Sequence, residues 1–448
     1  MNNELTKEEL KDLLINANDE DFQAIIDYTH PVDLLEAIHK LDDEDAKIIL
    51  NRFPDETLGR ILEEEKDEER YDFLSQFSKS RQKEILEEMS TDEIVDFVAT
   101  LNEQQEEEVL SNLNIEDLED VKELMQYDPD TAGGIMTTEF ISIRQNKTVL
   151  KTLEYLQQNG HEAEMAFYMY VVDKEDHLKG VVSVRDIITS KFDVKIEDIT
   201  NPNVVSLNIN DDQEVIAAIF DKYDYIMLPV VDDNNVIKGI VTVDDVIDII
   251  QEETTEDMHL LAGVDGDEKV DSNIIESIRS RLPWLVINLI TAILAASVVS
   301  RFSATIEAVV ALAAINPIIA GMGGNAGNQS MTIVVRAIAL NELNGENAKK
   351  VFFKELIVGM ISGLTIGLLI GIGCQIVYGN FFLGIVTSLS MLLNLIIATM
   401  VGYLVPVILV KLKVDPALAS SIFVTTCTDC FGFFIFLSLA TLVLPYII

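Results

Sequence analysis

The chain has 448 residues, a formal net charge of −44, 48% hydrophobic residues and three cysteines. Residues 273–448 hold seven of the 76 acidic and nine of the 32 basic residues, so their net charge is +2 and that of residues 1–272 is −46. The strong negative charge of residues 1–272 disfavours nucleic acid and anionic lipid as partners and favours cations. The three cysteines lie in apolar stretches, which excludes a disulfide framework.

Residues 1–130 have the hydrophobic spacing of short α-helices. Leu10, Leu13 and Leu14 recur at helical intervals, and Ser90 to Asp92 is one of several polar segments that can cap a helix N-terminus. We therefore predict an all-α N domain, a superhelix of stacked helical hairpins. The first residues read as an acidic helix rather than a signal peptide, so we expect the N-terminus to stay in the cytoplasm.

An internal repeat follows the helical region. YVVDKEDHLKGVVSVRDII at 170–188 matches PVVDDNNVIKGIVTVDDVI at 229–247 without a gap. Each copy contains an apolar strand, an acidic turn, a glycine, a β-branched strand and a helix, which is typical of a mixed α/β unit. We predict two copies of one α/β domain.

A predicted helix at 244–262 carries a stripe of carboxylates. Residues three or four apart lie on one face of a helix, and like charges one turn apart repel. Either the stripe is a solvated surface or a cation neutralises it, and both interpretations remain open. Its acidic residues are Asp245, Asp248, Glu252 and Glu256, widened by Glu253 and Asp257.

Five apolar stretches in the last third of the chain are long enough to cross a bilayer. Basic residues precede the first stretch, separate the second from the third, and precede the fifth, which satisfies the positive-inside rule and places the C-terminus outside. The predicted spans are Pro283–Phe302, Ile306–Leu340, two within 356–410 on either side of Tyr378–Asn380, and Ala417–Tyr446.

Asp429 is the only charged residue in the last 33 positions, midway along the fifth predicted span. An ionised group in hydrocarbon costs about 2.5 to 3.5 kcal/mol even on lenient insertion scales, so intramembrane carboxylates usually face water or a partner. Asp429 therefore indicates a pathway for a cation.

The segment Gly321–Gln329 is unusually rich in glycine for membrane depth. We predict a break in the helix here, whose free carbonyls join Asn325, Asn328 and Gln329 as oxygen donors for a hydrated cation. Close helix packing by small residues is the alternative. It explains the glycines but not the three amides.

Several motifs together resemble the MgtE family of magnesium channels. They are GGNAGNQ at 323–329, Lys354-Glu355 at the start of the third span, and Asp415-Pro-Ala followed by Thr-Thr-x-Thr-Asp429-x-x-Gly432. The repeat likewise resembles a tandem CBS-domain pair. The resemblance covers essentially the whole chain.

This resemblance implies a multidomain protein: a helical N domain at 1–130, a CBS pair at 131–250, an acidic connecting helix at 244–270 that acts as a plug, and a five-helix pore domain at 271–448. It further implies a homodimer in the cell membrane, with one central pore in which Asp429 holds a hydrated Mg²⁺. CBS pairs can also bind adenine nucleotides.

The resemblance also implies that Mg²⁺ closes its own channel by binding acidic residues of the soluble part. Asp92 and Asp96 are our choice in the N domain because they lie four residues apart on one helix face. The complete set of implied sensor residues is Asp92, Asp96, Asp212, Glu214, Asp224, Asp245, Asp248, Glu253, Glu256 and Asp257.

Two other classes of function remain open. A proton- or sodium-coupled transporter of divalent ions would need further intramembrane acids or histidines, and Glu307 and Glu355 near span ends are the available ones. A membrane-anchored nucleotide sensor would need the CBS pair but neither Asp429 nor the 323–329 motif. Scattered histidines and the lack of a nucleophile motif disfavour an enzyme.

Overall fold

The computed structural model describes residues 7–160, 163, 165–266, 268–270, 272–340, 342–343, 345, 347–418 and 420–448, without the side chains of Lys7, Asp43, Glu116 and Ser420. Residues 1–6, part of the predicted first helix, and residue 271, the predicted start of the pore domain, lie outside the described residues. The chain forms two compact units, residues 1–250 and residues 251–448.

The N-terminal region forms helices joined by short turns where it is described, as predicted. Helices α1, α3, α5, α7 and α9 contact each other in succession, which is the packing expected of stacked hairpins. Polar caps begin several helices; the Asn18 side chain, for example, accepts a 3.0 Å hydrogen bond from the Asp21 amide. The helices are α1 Lys7–Asn16, α2 Asp19–Tyr28, α3 Pro31–Ile38, α4 Asp43–Leu50, α5 Asp55–Glu63, α6 Asp67–Leu74, α7 Lys79–Leu86, α8 Thr91–Ala99, α9 Glu103–Asn112 and α10 Ile115–Leu124.

Two three-stranded sheets confirm the repeat. In each sheet the first strand is parallel and the third antiparallel to the central one. The central strands and the third strands are separated along the chain by the same interval as the two copies of the sequence repeat. The elements are β1 Ser142–Arg144, α11 Val149–Asn159, β2 Tyr168–Val172, β3 Leu178–Ser183, α12 Val184–Thr189, β4 Leu207–Asn208, α13 Gln213–Tyr223, β5 Met227–Val231 and β6 Ile237–Thr242.

The glycine shared by the two copies allows a close approach of a neighbouring segment. A Cβ atom on Gly239 would lie 2.6 Å from the Thr137 carbonyl oxygen, and one on Gly180 would meet the Asn201 carbonyl. The amides of the next residues, Ile240 and Val181, bond these same carbonyls. Each glycine thus lets a neighbouring segment add to its sheet.

The predicted acidic helix exists as α14, Val243–Ala262. It begins in the first unit and ends in the second. In the second unit, Leu260 at its C-terminal end is buried in an apolar cluster with Met331, Val335, Ala417 and Val424. The end of α14 is therefore packed against the membrane helices that follow.

The second unit consists of long apolar helices around α19. Helix α19 packs against α17, α18 and α20. Close approach of α18 depends on buried glycines such as Gly363, where a Cβ would lie 2.9 Å from the Leu392 carbonyl oxygen. The helices are α15 Ile274–Ser300, α16 Ser303–Ala308, α17 Ala311–Ala339, α18 Ala348–Tyr378, α19 Phe381–Lys411, α20 Ser420–Leu442 and α21 Leu444–Ile447.

Within the described part of the chain, four helices have the length and apolar composition of membrane spans, not five. They are Ile274–Ser300, Ala348–Tyr378, Phe381–Lys411 and Ser421–Leu442. The second predicted span is divided between the short helix α16 and α17, and α17 is absent from the four; its sequence contains three Asn and a Gln. A fifth span therefore stays a prediction.

The predicted helix break at Gly321–Gln329 is wrong, because α17 continues through it from Ala311 to Ala339. Two of its glycines, Gly323 and Gly327, serve close packing instead, whereas Gly321 and Gly324 line a cavity. A Cβ on Gly327 would lie 2.6 Å from the Val424 side chain of α20, and one on Gly323 would overlap the Asn394 side chain of α19. A continuous helix satisfies its own backbone groups in lipid, so no carbonyls are released as ligands.

Candidate functional site

A cavity of about 490 Å³ lies beside Asp429 in the second unit. Thr425, Asp429 and Phe433, spaced four residues apart on one face of α20, form one wall. The opposite wall is α17, from Asn316 to Asn328. The half-buried Asp429 therefore lies at a cavity whose lining includes three asparagines and Thr425 rather than in a packed apolar core.

Two amide oxygens in this wall lack hydrogen bonds. Among the described residues, Asn316 Oδ1 and Asn328 Oδ1 are buried and have no hydrogen-bond partner. Buried polar groups are nearly always paired, so these oxygens are suited to a guest that carries donors, such as water held by a cation. Sequence reasoning missed Asn316, because it precedes the glycine-rich segment and matches none of the motifs.

The predicted amide ligands are only partly brought together. Asn325 and Asn328 line the cavity with Asp429, whereas Gln329 is exposed and is not among the lining residues. A Mg²⁺ with waters at about 2.1 Å fills a sphere of about 180 Å³, which the cavity can contain. The candidate ligands are a carboxylate and neutral amide oxygens, which suit a hard, hydrated cation.

A second group of carboxylates surrounds the start of α8 in the first unit. We call it the α8 acidic cluster: Glu63, Asp92, Glu93, Glu139 and Asp245. Glu139 Oε1 accepts hydrogen bonds of 3.2 Å from the Thr91 amide and hydroxyl, and Thr242 donates one of 2.5 Å to Asp245. Arg70, whose Nη2 lies 3.0 Å from Glu93, is a cationic neighbour.

Burial, followed by mutual repulsion, raises the pKa values of this cluster. Burial raises the pKa of Glu93 to about 8, with Asp92 and Asp96 adding to the shift. It raises the pKa values of Glu139 and Asp245 to about 7, and in both cases the Asp92 charge contributes. Of the predicted sensor residues, Asp92 and Asp245 thus lie together, and Asp96 lies on the exposed side of α8.

In the full-length protein freed of divalent ions by a chelator, the melting temperature should fall as the pH rises from about 5 to 8. The folded-state pKa values exceed the unfolded ones near 4, so the folded state binds more protons in this window and loses stability as they leave. Each pKa unit is worth about 1.4 kcal/mol, and 1 kcal/mol shifts melting by about 2–4 °C. We expect Glu139→Gln to make the fall in melting temperature over this pH range smaller by a few degrees.

The matched control is Asp193→Asn, an exposed carboxylate of the same unit that lies outside the α8 acidic cluster. It reports the general effect of lowering the negative charge. Differential scanning fluorimetry in buffers of rising pH, with and without Mg²⁺, measures the slopes. A melting temperature that rises with pH, or equal slopes in both variants, would contradict the assignment.

Helix α13 separates Asp224 from Asp212 and Glu214, the two predicted sensor residues at its start. Asp212 caps its N-terminus and accepts a 3.0 Å hydrogen bond from the Glu214 amide, while Asp224 ends the helix in a left-handed conformation with φ 54°. An 11-residue helix is about 16 Å long, so Asp224 cannot share an ion with Asp212 in one chain. Asp248 is exposed on α14.

The end of α14 forms a third acidic group in the second unit. Burial raises the pKa of Asp257 to about 6; the charges of Asp415 and Glu253 add to the shift and Arg336 opposes it. Asp415 also accepts a 2.7 Å hydrogen bond from the Ala417 amide. Glu253 and Asp257 belong to the predicted sensor set, whereas Asp415, remote from both in the chain, was named only as part of a family motif.

Magnesium transporters of other organisms are similar to most of the chain. The magnesium transporter MgtE of Thermus thermophilus is 40% identical over 327 residues, which is 72% of each chain. That of Enterococcus faecalis is 38% identical over 329 residues, 73% of this chain and 72% of the relative. The chain belongs to the MgtE family of magnesium transporters.

Family models match three successive parts of the chain. The MgtE intracellular N domain matches residues 29–130, two CBS domains match residues 132–192 and 196–252, and the MgtE divalent cation transporter model matches residues 316–439. Family membership indicates a transporter rather than an enzyme. Both Asp429 and the amides of its cavity lie inside the transporter match.

Two solved structures of magnesium-transporting proteins are similar to just over half of the chain. The soluble part of a magnesium transporter is 37% identical, with a TM-score of 0.52, and the match covers 55% of this chain and 97% of that one. The cytosolic domain of the Mg²⁺ channel MgtE in complex with ATP is 32% identical, with a TM-score of 0.51, covering 54% and 99%. The helical region and the CBS pair therefore have the MgtE fold.

Proposed function

We propose that this protein is a Mg²⁺ channel of the cell membrane, and that the cavity beside Asp429 is its ion site. The carrying observation is that Asp429 shares one cavity with Asn316 and Asn328, whose amide oxygens have no hydrogen-bond partner within the part of the chain that the structure describes. Mg²⁺ gives up its waters reluctantly and needs acceptors for them. Amide oxygens can accept from those waters while the carboxylate attracts the ion.

Passage requires no chemical energy source when the cell interior is negative. Two positive charges gain about 4.6 kcal/mol per 100 mV, at roughly 2.3 kcal/mol per charge. We infer a homodimer in which each chain contributes an Asp429 to one pore. Helix α17, about 43 Å long with 29 residues, is the proposed fifth span, which places the C-terminus outside and the soluble domains in the cytoplasm.

Closure by Mg²⁺ is proposed to act through the acidic groups. When Mg²⁺ is scarce, repulsion within the α8 acidic cluster and around Asp257 opposes compact packing. When it is plentiful, bound ions offset that repulsion and hold α14 at the membrane helices. We extend the predicted sensor set by Glu63, Glu93, Glu139 and Asp415, which share these groups, and retain Asp212, Glu214, Asp224 and Asp248 as candidates for ions shared with a second chain.

An adenine nucleotide is proposed to bind the first CBS copy. A cleft of about 640 Å³ there is lined by Phe167, Tyr168, Arg185 and Asp186, which can supply a stacking face, a cation for phosphate and an acceptor for hydroxyl groups. At the positions that correspond to Arg185 and Asp186 in the repeat, the second copy has Asp244 and Asp245. Two carboxylates repel phosphate, so the second copy is assigned to cations.

Asn316→Ala should lower Mg²⁺ uptake by about tenfold while Asp429 remains in place, since one lost hydrogen bond to a hydrated cation is worth about 1.4 kcal/mol. Gln329→Ala is the matched control, because it removes an amide of the same helix outside the cavity lining. Its uptake should remain within about twofold of wild type. Dye-reported Mg²⁺ entry into liposomes measures both, and equal losses would reject this cavity as the ion site.

A further inference from the structure

A histidine and two glutamates, none of which belongs to the groups described above, meet in the helical N domain. His39 follows the last residue of α3, Glu65 lies between α5 and α6, and Glu69 is in the first turn of α6. His39 Nε2 lies 2.8 Å from Glu65 Oε2 and 3.9 Å from Glu69 Oε2. All three ligand atoms are within 4.8 Å of one another.

Burial and a hydrogen bond hold the Glu65 carboxylate in one orientation. Its side chain is only 2% exposed, and its other oxygen, Oε1, accepts a 3.0 Å hydrogen bond from the Lys66 amide. The nearby Arg70 guanidinium bonds the backbone carbonyls of Glu63 and Glu65 and pairs with Glu93. Oε2, the second oxygen, faces the imidazole of His39, whose side chain is partly exposed.

The two outer ligands are accessible. The His39 side chain is 42% exposed and that of Glu69 is 56% exposed, so an ion can enter without opening the helical core. Ligands about 2.0–2.2 Å from one metal lie about 3–3.5 Å apart. The observed separations of 2.8 and 3.9 Å bracket this value, so small side-chain rotations would complete the geometry.

We propose that His39, Glu65 and Glu69 bind a divalent transition-metal ion, with water in the remaining positions. Imidazole nitrogen suits zinc, copper, iron and nickel, whereas Mg²⁺ takes oxygen ligands. The site therefore differs in chemistry from the oxygen-only acidic groups. It joins the end of α3 to the α5–α6 connection, so a bound ion stabilises the N domain.

The test uses Co²⁺ as the probe and the full-length protein in detergent, with excess Mg²⁺ present to occupy the oxygen-only groups. Equilibrium dialysis should find one Co²⁺ bound per chain. The absorption spectrum of the bound Co²⁺ should be that of an ion with a nitrogen ligand. His39→Gln and Glu69→Gln should each weaken binding at least about tenfold. His30→Gln, at the other end of α3, is the matched control and should bind as wild type does.

Glu69 is exposed, so its substitution tests the ligand role without disturbing the core. Co²⁺ should also raise the melting temperature of wild type and the His30 variant but not of the other two. The proposal is overturned if excess Mg²⁺ displaces all Co²⁺. It is equally overturned if the His39 and Glu69 variants bind Co²⁺ as tightly as wild type, which would place the ion elsewhere, for example at Cys427 and Cys430.

Discussion

Replacing Asp429 by Asn is expected to abolish Mg²⁺ uptake, lowering it by at least about 100-fold. Two unit charges 4 Å apart attract by about 4 kcal/mol at an effective dielectric constant of 20, and tenfold corresponds to about 1.4 kcal/mol. A divalent ion loses more than this when the carboxylate is neutralised. The amide keeps the size of the side chain, so helix packing should be preserved.

Flux into liposomes at equal amounts of folded protein measures this effect. Asp193→Asn, an exposed neutralisation in the soluble unit, is the control and should leave uptake unchanged. Melting temperature and size-exclusion profile verify that both variants are folded. Uptake by Asp429→Asn within about threefold of wild type, a difference of about 0.7 kcal/mol, would remove Asp429 from the ion pathway.

The second large effect concerns closure. Neutralising Asp248, Glu253 and Glu256 to their amides should keep the channel open at Mg²⁺ concentrations that close the wild type. In the proposed mechanism bound ions supply the attraction that holds α14 in its closed position, and amides cannot replace a bridging ion. Single-channel recordings over a range of cytoplasmic Mg²⁺ should show an open probability that no longer falls.

The control removes three charges from another helix, Glu103, Glu106 and Glu107 of α9, and should close normally. If the α14 variant is instead closed at every Mg²⁺ concentration, relief of repulsion alone drives closure and ion bridging is wrong. If it closes at the wild-type concentration, these three residues take no part in sensing.

Features marked by a local or repeated sequence pattern were predictable. The two matching copies of the repeat located both sheets, and the regular spacing of carboxylates located the helix α14. A lone charge in an apolar stretch was enough to select Asp429. In these cases the residues that carry the signal are close together in the chain or repeat in the same order.

Features that depend on long-range packing were not predictable. Asn316 and Asp429 are on different helices that are far apart in the chain, and Glu63, Glu139 and Asp245 meet only after the N-terminal helices and the second CBS copy fold. The helix break at Gly321–Gln329 was predicted wrongly because glycine was weighed by its low helix propensity. The close contacts of Gly323 with Asn394 and of Gly327 with Val424 can be recognised only from the positions of the neighbouring helices.

The most direct test of the account is Mg²⁺ entry into liposomes containing the purified protein, driven by an imposed inside-negative potential with no proton or sodium gradient. A channel predicts entry that grows with the potential and ceases when the potential is collapsed. Entry only after a proton or sodium gradient is added would contradict the account and assign the protein to coupled transport.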